Sequence, residues 1–453
     1  ELGDPQGAIQ RAGMAERRSE RLVVLDASDP ENQLIMANSL LQKARAESEA
    51  GDARAAMTTI GLSIDRFRAL ADRPLSDRLR DSLEMLLCEA LVIKVRTSDE
   101  LLDPEGTRRL LSEATGSGEK AYQAQPLDPE TVDAYAKSLE ELGSFYFNCG
   151  DPKLFREPVE KALAIRQNAA VNARDNIRLQ RGWERAIGTW GCFLAYFDPS
   201  GKNIGRAAEA LDTLRKLYNA DPGNTELAEQ LLKQLRDFAG FLDDRREYRK
   251  ASELFEETIT RGRRLIQDEK ESHAVVYHMG EAAFDVFFCY LKLGDFDSAK
   301  RVAAEVVEPL AEEFQKQKWD TPDDRLLQAG FDFVSGEVES RNGQHQQARE
   351  RFQRSIGQLE ENLRVRNFPG ERAFYGVALT RFGSVLARGG EIKLGAEHIK
   401  RGLEILHPLV DADLTLARGE LSDDISEAES NLRHFEEGLK RTNDEASLVA
   451  GNK

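Results

Sequence analysis

Cysteine is scarce in this chain of 453 residues, which contains only Cys88, Cys149, Cys192 and Cys289. The four are far apart in sequence, and no two of them form a CxxC pair. Zinc sites and disulfide-rich small domains require closely spaced cysteines, so the spacing argues against both. We expect four ordinary reduced thiols.

Long apolar runs are absent as well. No stretch of about 18 apolar residues occurs, and residues 1–5 have neither the basic nor the apolar segment of a secretory signal. We therefore expect a cytoplasmic chain with no membrane segment in this part. The sequence does not begin with Met, and residues 3–8 match the middle of the repeat unit described below. We expect a fragment of a longer protein, with a first helix upstream of Glu1.

Positive charge is in short supply: the formal net charge is −17 at pH 7 and the pI is about 5.1. Such a chain repels polyanions at long range and no basic stripe opposes this, so we expect no nucleic-acid partner. Proline (14 residues) and aromatic residues (7%) are few, whereas 32% of residues are charged. This balance is typical of long amphipathic helices and predicts an all-α fold.

Motifs for catalysis and cofactor binding are also missing. His273 and His278 would point about 140° apart on a helix, which is poor geometry for a shared metal. The segments 116–118 (Gly-Ser-Gly) and 201–203 (Gly-Lys-Asn) follow no predicted strand, so we interpret both as linkers rather than phosphate loops. No GxSxG sequence is present. We expect no enzymatic activity, no cofactor and no metal.

The sequence does contain a repeated turn-and-helix signature: a short glycine turn, an alanine about five residues later, and in most cases a bulky apolar residue four further on. It occurs as Gly51-Asp52 with Ala56 and Ile60, as Gly294-Asp295 with Ala299 and Ala303, and as Gly343 with Ala348 and Phe352.

Turns of this kind recur at intervals of 41 to 55 residues, which leaves room for two helices of roughly 18 to 22 residues in each interval. The predicted turns lie at Gly3, Gly51, Ser98, Gly150, Gly205, Arg246, Gly294, Gly343 and Gly390. Helix starts are predicted where a capping residue precedes proline, because proline is tolerated in a first turn. These starts are Asp29-Pro30, Asp128-Pro129, Asp221-Pro222 and Thr321-Pro322.

Four units carry small and large residues in one recurrent order. The residues are Leu139, Leu142, Gly143, Tyr146, Phe155, Val159 and Ala162; Leu235, Phe238, Ala239, Leu242, Ala251, Phe255 and Thr258; Val286, Phe287, Tyr290, Ala299, Ala303 and Val306; and Leu379, Phe382, Gly383, Leu386, Gly395, Ile399 and Gly402. This order resembles the tetratricopeptide repeat (TPR), in which small residues let paired helices approach closely. The resemblance implies a right-handed α-solenoid of about eight or nine stacked antiparallel helix pairs, longer than the familiar unit.

The array is expected to span residues 1–440, with a truncated first unit. Residues 421–439 are rich in Glu and poor in large apolar residues, which predicts a polar cap helix. Residues 441–453 show no periodicity, so we expect a disordered tail.

The N-terminal segment Leu2–Ile9, followed by a basic-rich helix and Asp29-Pro30, resembles the TPR arrays that follow bacterial serine/threonine protein kinase domains or winged-helix regulator domains. The resemblance implies an upstream kinase or regulator domain in the same chain, and a role in bacterial signalling.

Ligand-binding residues are expected on the first helix of each pair, because these helices line the concave side of TPR arrays. Phenylalanines there are candidate anchors for a peptide, and Arg236 and Arg341 are candidate partners for carboxylates. The alternative for the phenylalanines is burial between neighbouring repeats. The candidate residues are Lys137, Asn148, Lys233, Arg236, Phe284, Phe288, Phe333, Glu337 and Arg341.

Together these features predict a non-catalytic scaffold, or a sensory module, that binds a protein or peptide segment. The alternative is a structural module that self-assembles through exposed terminal helices. Sedimentation separates the two, because a concentration-independent monomer would count against self-assembly.

Overall fold

The computed structural model describes residues 5–50, 52–97, 104–149, 151–196, 201–268, 273–317, 321–411 and 418–451. Every regular element within these residues is a helix, and most helices are 19 to 21 residues long. Within each of the two units described below, many helices pack against their neighbours in sequence. This confirms the predicted all-α solenoid class of stacked helix pairs and the predicted helix lengths; the hand of the superhelix stays a prediction.

The described chain divides into two compact units, Glu1–Phe147 with Asp151–Thr225, and Asn148–Gly150 with Glu226–Lys453. The helices of the N-terminal unit are α1 (Pro5–Leu25), α2 (Pro30–Glu49), α3 (Ala53–Ala71), α4 (Asp77–Thr97), α5 (Pro104–Ala124), α6 (Pro129–Asn148), α7 (Pro152–Asn172), α8 (Ile177–Ala195) and α9 (Lys202–Ala220).

The helices of the C-terminal unit are α10 (Thr225–Asp244), α11 (Tyr248–Gln267), α12 (His273–Lys292), α13 (Phe296–Val302), α14 (Glu308–Gln317), α15 (Pro322–Arg341), α16 (His345–Val365), α17 (Pro369–Arg388), α18 (Ile392–Asp411) and α19 (Arg418–Gly451). A π-helical segment, Ala303–Val307, joins α13 to α14.

Small residues bring the two helices of a pair into close contact, as the repeat pattern predicts. A Cβ atom on Gly143 of α6 would lie 2.4 Å from Cγ2 of Val159 on α7. In the pair α17 and α18, a Cβ atom on Gly383 would lie 2.5 Å from the carbonyl oxygen of Gly395. A side chain at either position would overlap atoms of the partner helix, so these glycines allow the two helices to approach this closely.

The turns between paired helices use a left-handed backbone at the predicted positions. The φ angles are 75° at Gly294, 76° at Gly343 and 99° at Gly390, a region that glycine enters without strain. Arg246 occupies the same place with φ 62°. The predicted turns at Gly3, Gly51, Ser98 and Gly150 lie outside the described residues.

Replacing Arg246 with glycine is expected to raise the free energy of unfolding by about 0.5 to 1 kcal/mol. A non-glycine residue in the left-handed region costs roughly 1–2 kcal/mol, and glycine removes this cost. Glycine also loses more backbone entropy on folding, which cancels only part of the gain. The substitution also removes the contact of Arg246 with Asp423 at 3.1 Å. Because both side chains are about half exposed, that loss is small. Urea unfolding measures the change.

Gly294→Ala provides the matched control for Arg246→Gly. A Cβ atom there meets nothing within 4 Å, so the backbone strain alone is tested. The alanine variant should be less stable, and a stabilising effect of Gly294→Ala would contradict the explanation.

Helix starts follow the predicted capping residues. Asp29 accepts a hydrogen bond from the backbone N–H of Glu31 at the start of α2. Thr321 and Asp324 form a reciprocal capping box at the start of α15. α6 begins at Pro129 and α10 at Thr225, next to the other two predicted breakers. Three of these four local signals are confirmed, whereas Pro222 lies in the turn before α10 rather than in its first turn.

Two predicted loops are wrong, and a third is wrong in part, because Lys202 and Asn203 of the predicted 201–203 linker begin α9. Gly205 lies within α9, and the left-handed turn residue is Gly201, with φ 71°. Residues 116–118 lie within α5 instead of forming a linker. A Cβ atom on Gly118 would lie 3.0 Å from Sγ of Cys88, so this glycine serves close helix packing rather than chain flexibility.

The last helix, α19, runs to Gly451 and therefore passes the predicted end near Leu439. Good helix formers in this stretch, such as Lys440, Glu445 and Leu448, account for the extension. Leu421, Ile425 and Ala428 pack against α18. The role of this helix as a polar cap stays a prediction. The domain limit at 440 and the disorder of 441–453 stay predictions.

Candidate functional site

On one face of the C-terminal unit lie charged and aromatic side chains from the first helix of each pair, most of them partly exposed. On α12, Glu281, Phe284, Asp285 and Phe288 recur at helical spacing, opposite residues that are buried. We call the set the first-helix face; its members are Lys233, Arg236, Asp237, Asp243 and Asp244 on α10, these four on α12, Glu337 and Arg341 on α15, Phe374 and Arg381 on α17, and Asp424 and Glu427 on α19.

Aromatic rings form the centre of the first-helix face. Phe284 and Phe288 lie 5.0 Å apart between ring centroids, and Phe284 contacts Phe374 at 5.4 Å. Phe284 and Phe374 come from helices two pairs apart, with α15 between them. Gly330 of α15 permits this contact, because a Cβ atom on it would lie 2.9 Å from the Phe284 ring. The result is a half-buried aromatic cluster.

Phe333 forms the floor of this aromatic cluster. It is 0% exposed and lies 5.8 Å from Phe288 and 5.4 Å from Phe374 between ring centroids. The alternative of burial between repeats therefore holds for Phe333. Phe284 and Phe288 keep partly exposed rings. Phe374 was missed by sequence reasoning, although it lies about one repeat beyond Phe333.

Arg236 is held by carboxylates of its own chain. Its guanidinium donates to Asp237 at 2.6 Å and contacts Glu281 on α12. Lys233 lies 2.9 Å from Asp237 as well. Burial raises the pKa of Asp237, but Lys233 and Arg236 outweigh it and hold that pKa below its usual value. His278 completes the group; burial and Arg236 lower its pKa to about 3, so it is neutral.

Arg341 and Glu337 are engaged in the same way. Glu337 is only 7% exposed, and its carboxylate lies 3.5 Å from Nε of Arg341. The Arg341 guanidinium also lies 5.7 Å from the Phe296 ring centroid. Arg381 reaches Glu337 at 3.8 Å and Asp424 at 2.9 Å. The guanidinium groups of Arg236 and Arg341 thus both have carboxylate partners within the chain, and their role in binding a ligand carboxylate stays a prediction.

Lys137 and Asn148 lie on α6. Lys137 is paired with Asp133 at 2.7 Å, a carboxylate that also accepts hydrogen bonds from Arg166 and Arg185. Asn148 is exposed at the end of the helix. Lys137 therefore belongs to a charged cluster of the N-terminal unit, whereas six of the nine candidates lie on the first-helix face of the C-terminal unit.

Asp243 and Cys289 are further polar residues that sequence reasoning missed. The Cys289 thiol donates a hydrogen bond to Oδ1 of Asp243 at 3.1 Å. Burial, with smaller contributions from Asp285 and Asp244, raises the pKa of Asp243 to about 7, despite Cys289 and Lys292. Their spacing of 46 residues, about one repeat, is the sequence signal that links them.

The histidines do not form a metal site. His273 contacts Asp324 at 2.7 Å, whereas His278 contacts Arg236 at 3.3 Å. Within the described ranges, no group of three His, Cys, Asp or Glu side chains is arranged to hold a metal ion. Nor does any helix there combine the length and apolarity needed to cross a bilayer. The arrangement offers a contact surface.

Exposed apolar side chains occur at the end of α1. Val24 is 85% exposed and Leu25 82% exposed, values that stand out against the buried Ala12 of the same helix. In the self-assembly alternative, these side chains would contact another copy of the chain. That alternative stays a prediction.

Comparison with known proteins gives matches among solved structures only. No model of a protein family and no curated protein sequence matches the chain. Among solved structures, a Rap protein complexed with competence and sporulation factor is 14% identical, with a TM-score of 0.46 over 89% of this chain and 99% of that chain. The apo form of RapI is 13% identical, with a TM-score of 0.47 over 88% and 99%.

A human IFIT1 dimer with m7Gppp-AAAA is 14% identical, with a TM-score of 0.34 over 89% of this chain and 87% of that chain. Similarity at this level concerns the helical architecture alone.

Proposed function

We propose that the chain is a non-catalytic interaction module that binds a peptide or protein segment on the first-helix face of the C-terminal unit. The observation that carries the proposal is the half-buried cluster of Phe284, Phe288 and Phe374. Aromatic side chains are enriched among the residues that dominate binding energy.

The architecture around the cluster supports a preformed site. Phe333 and Phe352 pack beneath it with ring centroids 5.3 Å apart, and both are fully buried. Arg236 forms an ion pair with Glu281 of α12, and Arg381 forms one with Asp424 of α19, so both pairs connect neighbouring helices around the cluster. A rigid face loses little conformational entropy on binding, which favours affinity.

Substituting Phe284 with serine is expected to weaken binding of a selected peptide by at least about tenfold, since an aromatic hot spot contributes about 2 kcal/mol or more. Peptides are selected from a random library on the full chain, and their affinities are measured by fluorescence anisotropy. Circular dichroism checks that the variant is folded.

Val365→Ser is the matched control, because Val365 is 39% exposed on α16, outside the first-helix face. It should leave peptide affinity unchanged. Selected peptides that bind wild type and Phe284→Ser equally, or a library that yields no binder, would contradict the proposed function.

We also propose that this module belongs to a larger bacterial signalling protein, following the resemblance of residues 1–65 to arrays downstream of kinase or regulator domains. The coding sequence upstream of Glu1 tests this directly. An upstream region without a kinase or regulator domain would refute it.

A further inference from the structure

The first-helix face is rich in carboxylates relative to cationic side chains. Eight of its fifteen members are acidic and four are cationic, and each cation contacts a carboxylate of the chain: Lys233, Arg236, Arg341 and Arg381. The aromatic cluster therefore lies in a setting of net negative charge, in a chain whose formal net charge is −17. Charge complementarity favours a cationic ligand at this face.

The acidic groups and the aromatic rings occupy neighbouring sectors of α12. On α12, Asp285 directly follows Phe284, and Cys289 directly follows Phe288. The Cys289 thiol contacts Asp243 of α10 at 3.1 Å, which places Asp243 at the edge of the same helix. One edge of α12 thus faces the carboxylates of α10, and the other faces Phe374 of α17.

We propose that the peptide bound by this face presents a lysine or arginine side chain beside Asp243 and Asp285 and an apolar side chain against Phe284, Phe288 and Phe374. This inference rests on the proposed function and specifies its ligand. The cation compensates the crowded carboxylates, while the apolar side chain removes the half-exposed rings from water.

The carboxyl group of Asp243 has a pKa close to neutrality, mainly because it is buried. Its pKa is raised to about 7 by burial and by Asp285 and Asp244, and the lowering effects of Cys289 and Lys292 do not offset this. A bound cation favours the ionised carboxylate and lowers this pKa. Peptide binding should therefore release a proton and tighten as the pH rises from about 6 to 8.

The test uses the full chain and labelled synthetic peptides: one that combines lysine with phenylalanine, the same peptide with glutamate for lysine, and the same peptide with serine for phenylalanine. We expect the lysine–phenylalanine peptide to bind at least about tenfold more tightly than either of the others. The double variant Asp243→Asn with Asp285→Asn should lose about tenfold in affinity for it.

The double variant Glu253→Gln with Glu361→Gln is the matched control, because it removes the same charge from exposed positions on α11 and α16. It should bind like wild type. The single variant Asp243→Asn should abolish the pH dependence while remaining folded, since the raised pKa means that the ionised carboxylate disfavours the native state.

Two results would overturn the inference: equal affinity for the lysine and glutamate peptides, or an unchanged affinity in the Asp243→Asn and Asp285→Asn variant. If the glutamate peptide binds and Phe284→Ser abolishes its binding, the face binds peptides and only the charge of the ligand is wrong. If none of the three peptides binds, the inference fails, and the library selection decides the proposed function separately.

Discussion

Replacing Gly395 with leucine is expected to lower the free energy of unfolding by about 3 kcal/mol, near the upper end for an overpacked core. A Cβ atom on Gly395 would lie 2.4 Å from the carbonyl oxygen of Gly383 and 2.8 Å from the backbone nitrogen of Ala387. Both are backbone atoms of α17, which cannot turn aside as a flexible side chain can. The two helices must separate and lose the apolar contacts along their crossing. Urea unfolding followed by circular dichroism measures the loss.

Gly357→Leu is the matched control, because this exposed glycine of α16 has nothing within 4 Å of its built Cβ atom. There leucine should be neutral or stabilising by up to about 1 kcal/mol, since it favours the helix more than glycine does. Equal effects at Gly395 and Gly357 would show that the crossing tolerates a side chain.

The sequence was sufficient to predict the helical class, the two-helix period and most of the turns. The reason is local: positive φ at Gly294 and Gly390 and the cap of Asp29 depend on residues a few positions apart. Gly118 and Gly205 were misassigned because the sequence alone does not distinguish a glycine in a turn from a glycine in a helix. Gly118 permits close packing, and Gly205 lies at an exposed helix position.

The candidate site was only partly predictable. Phe284 and Phe288 were found because helical spacing assigns them to the first helix of a pair. Phe333 shares that spacing, and what buries it is the approach of Phe374 from another helix pair. Likewise, the carboxylates that pair with Arg236 come from two helices, Asp237 from α10 and Glu281 from α12. Such contacts depend on how successive pairs stack, which the helical period alone does not give.

Substituting Arg166 with methionine is expected to lower the free energy of unfolding by about 3 kcal/mol at neutral pH, as for a buried charge pair that loses one partner. Arg166 of α7 is 2% exposed. It donates to Oε1 of Glu140 at 2.7 Å and to Oδ1 of Asp133 at 2.9 Å, both on α6. Methionine retains the apolar packing but leaves these carboxylates with one cation fewer. Urea unfolding measures the change.

The effect of Arg166→Met should depend on pH in a defined direction. Burial raises the pKa of Asp133, but Lys137, Arg166 and Arg185 outweigh it and hold the pKa below its usual value. A depressed pKa stabilises the folded chain above the unfolded value of about 3.9, and this stabilisation is lost as the pH falls below that value. The difference between wild type and the variant should therefore be largest at neutral pH and shrink below about pH 4.

Two further variants test whether the lost charge pairing is the cause. Arg156→Met removes an arginine from the same helix, but its pair with Glu160 is about half exposed, so the expected change is below about 0.5 kcal/mol. Adding Glu140→Gln to Arg166→Met should restore part of the stability, because a neutral amide is less costly to leave without a cation than a carboxylate. Two results would contradict this explanation: Arg156→Met lowers the free energy of unfolding as much as Arg166→Met does, or Glu140→Gln restores no stability. In either case, the loss of a buried charge pair does not explain the effect of Arg166→Met.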